Sequence, residues 1–171
     1  MKKLLIVTLI AGFSTGVFAD DGKINFEGEV TDQACTVVND LANPLKVTLG
    51  TVSKASLDGQ KGKTAAATAF NIKLDNCPAT VNSASVKFDG QSANNDNTAL
   101  KLTQETDVAK GVGIQLSDHT NAVVPLYTES AAYSLTTGSN SIPFIARYIA
   151  LQDTVDAGHA NSTANFTVVY N

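Results

Sequence analysis

Along most of this chain, apolar and polar residues take turns. Ala164, Phe166, Val168 and Tyr170 alternate with outward positions, and that period of two predicts a half-buried β-strand. The same alternation runs through residues 24–30, 34–38, 44–50 (Leu45, Val47 and Leu49 inward), 69–74, 84–88, 99–103, 112–116 and 121–127. It is weak at 132–135 and long at 142–150, where Pro143 stands near the strand start, a place that tolerates a missing donor. Between these lie a Ser/Lys/Gly/Ala loop at 53–66, a turn at Asp75-Asn76-Cys77-Pro78, a polar loop at 90–97 and a turn at 151–160. No segment carries a helical period. Many short strands separated by turns, without repeat or linker, predict one all-β domain, a β-sandwich.

Two of the strands look short of a partner. After Tyr170 only Asn171 follows, so no later segment is expected beside the last strand. Ile24-Asn25-Phe26-Glu27-Gly28-Glu29-Val30 is preceded by short polar residues and reads as a spare strand ahead of the first cysteine. Together they suggest subunits that complete each other. The competing reading makes residues 20–32 the first strand of their own domain and predicts a stable monomer.

Residues 1–19 are expected to be a secretory signal peptide: Lys2 and Lys3, an apolar run over 4–11, and Val17-Phe18-Ala19 before Asp20. Gly12, Ser14 and Gly16 break that run too early for a membrane span, and the mature chain is expected to be soluble. Losing Lys2 and Lys3 takes the formal charge from −4 to −6. An acidic chain with one arginine (Arg147) and no tryptophan argues against nucleic-acid binding. In an exported chain the pair Cys35 and Cys77 is most simply a disulfide; the alternative is a metal or redox site.

Chemistry is sparse. His119 and His159 lack the spacing of paired metal ligands. Ser117-Asp118-His119 holds the letters of a catalytic triad, but neighbours on one turn do not converge as nucleophile, base and orienter. Gly111-x-Gly113 lacks the third glycine and following helix of a dinucleotide loop, and reads as close packing or a bulge. Two glycosylation triplets, at Asn161 and Asn165, have no role behind a bacterial-type leader. Neither an enzyme nor a cofactor is expected.

One set of residues, in this order, resembles the major fimbrial subunits of the chaperone–usher pathway, the type 1 pilin family. It comprises Phe26-x-Gly28-x-Val30 ahead of Cys35, Phe70-x-Ile72-x-Leu74-x-x-Cys77, Gly111-Val112-Gly113-Ile114-Gln115-Leu116-x-Asp118 and Pro143-Phe144-x-Ala146-Arg147-Tyr148. Gly158, fourteenth from the end, and the penultimate Tyr170 complete it. The resemblance implies an incomplete immunoglobulin-like sandwich lacking its last strand (33–171), preceded by an N-terminal donor-strand extension (20–32). It implies a Cys35–Cys77 disulfide and a groove beside a chaperone-binding strand that includes Gly158, Ala164, Phe166, Val168 and Tyr170. Ile24, Phe26 and Val30 are then expected to enter the core of a neighbour by strand addition, of which pilin complementation is a known instance. Gly28, on the same face, marks a shallow spot. The implied partners are neighbouring pilin subunits in a head-to-tail homopolymer, a periplasmic chaperone and the outer-membrane usher, on a path through the periplasm to an adhesive surface fimbrium. The alternatives are a minor or adaptor subunit, or a self-contained secreted immunoglobulin-like binding module.

Overall fold

The computed structural model describes residues 24–28 and 34–171. The chain divides into two units, Met1–Val30 and Thr31–Asn171. In the first, the described residues have no regular secondary structure, and Ile24 and Phe26 are 76% and 91% exposed. The leader expected over 1–19, and Val30 of the expected donor strand, lie outside the described residues.

In the second unit the strands are β1 (Thr36–Val37), β2 (Thr64–Cys77), β3 (Ser83–Gly90), β4 (Val112–Asp118), β5 (Tyr133–Ser134), β6 (Gly138–Ala150) and β7 (Ala164–Tyr170). They form two antiparallel sheets, ordered β1-β2-β6-β4 and β5-β3-β7. This is the immunoglobulin-like sandwich that the alternation and the resemblance predict.

The core follows from the period. On β6, Ile142, Phe144, Ala146, Tyr148 and Ala150 are buried while the residues between them are half-buried. Ile72 and Leu74 on β2 and Ala84, Val86 and Phe88 on β3 complete the inner faces. Three rings tie the sheets together. Phe70 pairs in register with Phe144, and Phe88 meets Phe144 edge-on at 5.0 Å between centroids.

Three segments differ from the periodic reading. Residues 99–103 and 121–127 reduce to isolated bridges, Leu100 to Ile114 and Ser117 to Val123, which cover the edge of β4. The expected turn at 75–78 begins later, because β2 runs on to Cys77 through an irregularity in which Asn76 takes a positive φ of 52°. Residues 44–50 alternate as a strand does yet pair with no strand among the described residues.

Cys35 and Cys77 are bonded to each other, 42 residues apart in sequence, with their Cα atoms 4.2 Å apart. The bridge joins the entry to β1 to the end of β2. The Tyr170 hydroxyl donates to the Cys35 carbonyl at 3.3 Å, so the end of β7 is fixed to the same point. In the chain-entropy model a loop of this size contributes about 3–4 kcal/mol. Cys35→Ser should therefore lower the urea midpoint by that equivalent, and reducing the parent protein should bring it to the same midpoint. Unchanged midpoints would show that the bridge adds nothing.

Candidate functional site

β7 hydrogen-bonds to β3 along one edge, and among the described residues its other edge pairs with nothing. In an antiparallel ladder alternate residues turn both backbone groups to the same side, so half of β7's N–H and C=O groups point away from β3. Opposite them runs the extended stretch 44–50. Its backbone makes no ladder bonds; among the described residues the one partner recorded is the Tyr148 hydroxyl, which donates to Gly50 O at 3.3 Å. Burial pushes the Tyr148 hydroxyl above the ordinary tyrosine range, which keeps it a donor.

Between these two walls lies a groove of about 950 Å³. Leu45, Val47 and Leu49 point in from one side, and Ala164, Phe166 and Val168 from the other. Its floor is the sandwich core itself: Phe70, Ile72, Phe88, Leu116 and Ala146 line it. The walls run antiparallel to each other. Residue 50 lies at the end near Ala160, whereas the start of the stretch lies at the end that Tyr170 shares with Cys35. Asp40 and Lys46 are the charged side chains on the lining. The groove thus offers two rows of unpaired backbone groups over an apolar floor, the shape of one missing strand.

Of the residues expected to form this site, Ala164, Phe166 and Val168 line the groove. Tyr170 lies on the same strand but outside the lining, packed on the core and bonded to Cys35. Gly158 precedes β7 and borders a smaller cavity of about 390 Å³. A Cβ there would stand 2.2 Å from Asp107 O and 2.5 Å from Ala109 N. Two backbone bonds hold that approach: His159 N–H to Asp107 O at 2.7 Å and Ala109 N–H to His159 O at 2.9 Å. Gly158 is therefore needed for close packing of backbone on backbone. The second wall, residues 44–51, is absent from the sequence-based list of groove residues. Its alternation is plain in the sequence, but it reads as an ordinary paired strand. Ile24 and Phe26 are exposed, and a Cβ on Gly28 would meet nothing within 4 Å.

The triad-like letters do other work. Ser117 is fully buried and its Oγ has no hydrogen-bond partner among the described residues. The His119 ring lies 5.5 Å from Tyr133. Asp118 Oδ1 accepts from Thr120 Oγ1 (2.7 Å), Thr120 N (2.8 Å) and Ala122 N (3.0 Å), closing the loop after β4. Among the described residues no group of three or more His, Cys, Asp or Glu side chains is placed to hold a metal ion. None of their helices is long and apolar enough to cross a membrane.

A family model described as fimbrial protein matches residues 24–171. The type-1 fimbrial protein A chain of Escherichia coli K12 is 36% identical over 182 aligned residues, 99% of this chain and 98% of its own length. The crystal structure of a Burkholderia pseudomallei antigen and type I fimbria protein is 37% identical and superposes with a TM-score of 0.61, over 82% of this chain and 91% of that one. A chaperone–usher pilus subunit shares the fold, with a TM-score of 0.65 at 23% identity, over 92% of this chain and all of that one. This chain belongs to the fimbrial protein family.

The Thr120 hydroxyl, with the Thr120 and Ala122 N–H groups, holds the Asp118 carboxyl below the usual carboxylate range. A lowered folded pKa adds stability above the unfolded value and loses it as pH falls through the folded one. Asp118→Asn should therefore lose stability at pH 7 and show a shallower acid limb below about pH 4. Denaturant titrations at several pH values measure this, and parallel curves for parent and variant would refute it.

Proposed function

We propose that this chain is a shaft subunit of a surface fimbria that polymerises by donor-strand exchange. The observation that carries the reading is the pair of unpaired backbone edges facing each other across an apolar groove. An occupant that satisfies both edges must be an extended strand with apolar residues at every second position. Residues 24–30 have that pattern, with Ile24, Phe26, Gly28 and Val30 on one face.

In this reading the arm of one subunit fills the groove of the next. Full burial of an apolar side chain contributes about 1.5–3 kcal/mol, so Ile24, Phe26 and Val30 together supply roughly 5–9 kcal/mol before ordering costs. Donor and acceptor are different surfaces of one chain. The contact is therefore heterologous and propagates as an open filament. A chain bearing both surfaces suits a shaft subunit better than a terminator, which needs no usable arm. Before assembly, a periplasmic chaperone lends a strand to the groove. That strand protects core side chains which would otherwise be an aggregation surface. At the outer-membrane usher the next subunit's arm replaces it. Assembly by this route needs neither cofactor nor nucleotide.

Deleting residues 20–31 should leave a subunit that a chaperone still captures but that forms no fibres. Electron microscopy of the surface material, with co-purification of the chaperone, gives both readouts. Normal fibres from the deletion would reject the donor assignment. Phe26→Arg, which carries a charge into an apolar pocket, should cut fibre yield by at least tenfold with the fold intact. Assembly at the parental level would show that this face of the arm is not buried.

A further inference from the structure

Among the described residues the groove bears a single cation, and the strand proposed to fill it is acidic on its solvent side. Lys46 occupies an exposed position between the inward Leu45 and Val47, and has no hydrogen-bond or ion-pair partner among the described residues. Asp40, the other charge on the lining, is already engaged. Its Oδ1 accepts from Asn43 N (2.8 Å), Ala42 N (3.0 Å) and Asn43 Nδ2 (3.1 Å) in a turn at one end of the wall. The facing wall presents Thr163, Asn165 and Thr167 at its exposed positions, all uncharged.

On the arm, the residues between the apolar ones are Asn25, Glu27 and Glu29, so two carboxylates lie on the face turned away from the groove. Glu27 is the middle residue of 24–30, and Val47 is the middle residue of the equally long wall 44–50. Opposed residues of paired strands share a face, so an arm lying one residue off that centre, with its apolar side in the groove, sets Glu27 opposite the outward Lys46. Directly opposed residues stand about 5 Å apart across the two strands. The lysine stem spans such a distance while keeping its ammonium in water.

We propose that Lys46 of one subunit pairs with Glu27 of the incoming arm and acts as a specificity determinant for strand capture. The inference rests on the donor-strand reading above and adds to it a named ionic contact. An exposed pair contributes little to final stability, and its effect lies in steering the encounter and disfavouring uncharged or basic competitors. A slip of two residues that brings Asn25 to the lysine forfeits the contact, whereas a slip of one turns the apolar face outward.

The test is the polymerisation rate of purified full-length subunits, followed by light scattering at low and high salt. Lys46→Glu and Glu27→Lys should each slow growth about three- to fivefold at low salt. The double variant should recover most of the parental rate, and the differences should fade near 1 M salt. Lys46→Gln should fall between parent and reversal. Each variant's urea midpoint should match the parent's, since both side chains are exposed. Parental rates in both single variants, or a double variant slower than either, would overturn the pairing. Phe26→Arg, run alongside, separates the two ideas. If it blocks growth while the charge variants do not, the ionic contact falls and the donor strand stands. If it too grows normally, both fall.

Discussion

Two rows of backbone N–H and C=O groups face each other here across an apolar groove. One belongs to β7, the other to residues 44–50, and the floor between them is the hydrophobic core. Backbone polar groups at a sheet edge seek partners, and an open edge beside apolar surface is the combination most prone to recruiting another chain. The rest of the molecule is arranged around this gap. Phe70, Phe88 and Phe144 pack on one another beneath it, with centroid separations of 5.0 to 6.4 Å.

The two walls are not equally firm. β7 is held along its length by a seven-residue register with β3. Among the described residues the other wall has no ladder. It is fastened near one end by the Cys35–Cys77 bridge and at the other by the Tyr148 hydroxyl on Gly50, and between them by Val47 and Leu49 packed against the core. Side-chain burial alone holds its middle. Such a wall can shift sideways as a strand enters and then gain the backbone bonds it lacks. A fully laddered wall would have to break bonds first. In the donor-strand reading proposed above, the weakness of this segment would let occupants exchange without breaking the core.

Much of the fold is legible in the sequence, since period two reports which side of a strand meets the core. The strands β3 and β7 fall where alternation places them, whereas β2 starts at Thr64, inside the expected loop over 53–66, and β6 starts at Gly138, ahead of the expected 142–150. Period two does not report whether a backbone has a neighbour. Leu45, Val47 and Leu49 alternate like any paired strand, and only the topology reveals that no strand among the described residues lies beside them. β4 falls over the 112–116 strand that the sequence predicts, but its second covered face is not legible: Gln115, Ser117 and Asp118 are buried along with its apolar residues. Gly158 is visible as a mark, but its reason, the close approach of Asp107 and Ala109, joins segments fifty residues apart that no local pattern links. Lys46 is the least legible of all. A lone lysine between apolar residues looks like any solvated side chain until its wall is seen to border an unfilled ladder.

The charge distribution sharpens the argument about how copies of this chain would find each other. The chain is net acidic, at −4 over its whole length, so two copies repel at distances within the screening length. General stickiness between subunits is thereby suppressed, which matters for a molecule that exposes core side chains. An acidic arm approaching an acidic body meets that repulsion everywhere except where the surface is locally positive. One unpartnered lysine on the lip of the groove is a small feature in energy, but it lies beside the one place where backbone bonds and apolar pockets are also on offer. On the proposed pairing, weak attraction at that point, against repulsion elsewhere, would select where the arm lands. The apolar residues and the ladder then decide how long it stays.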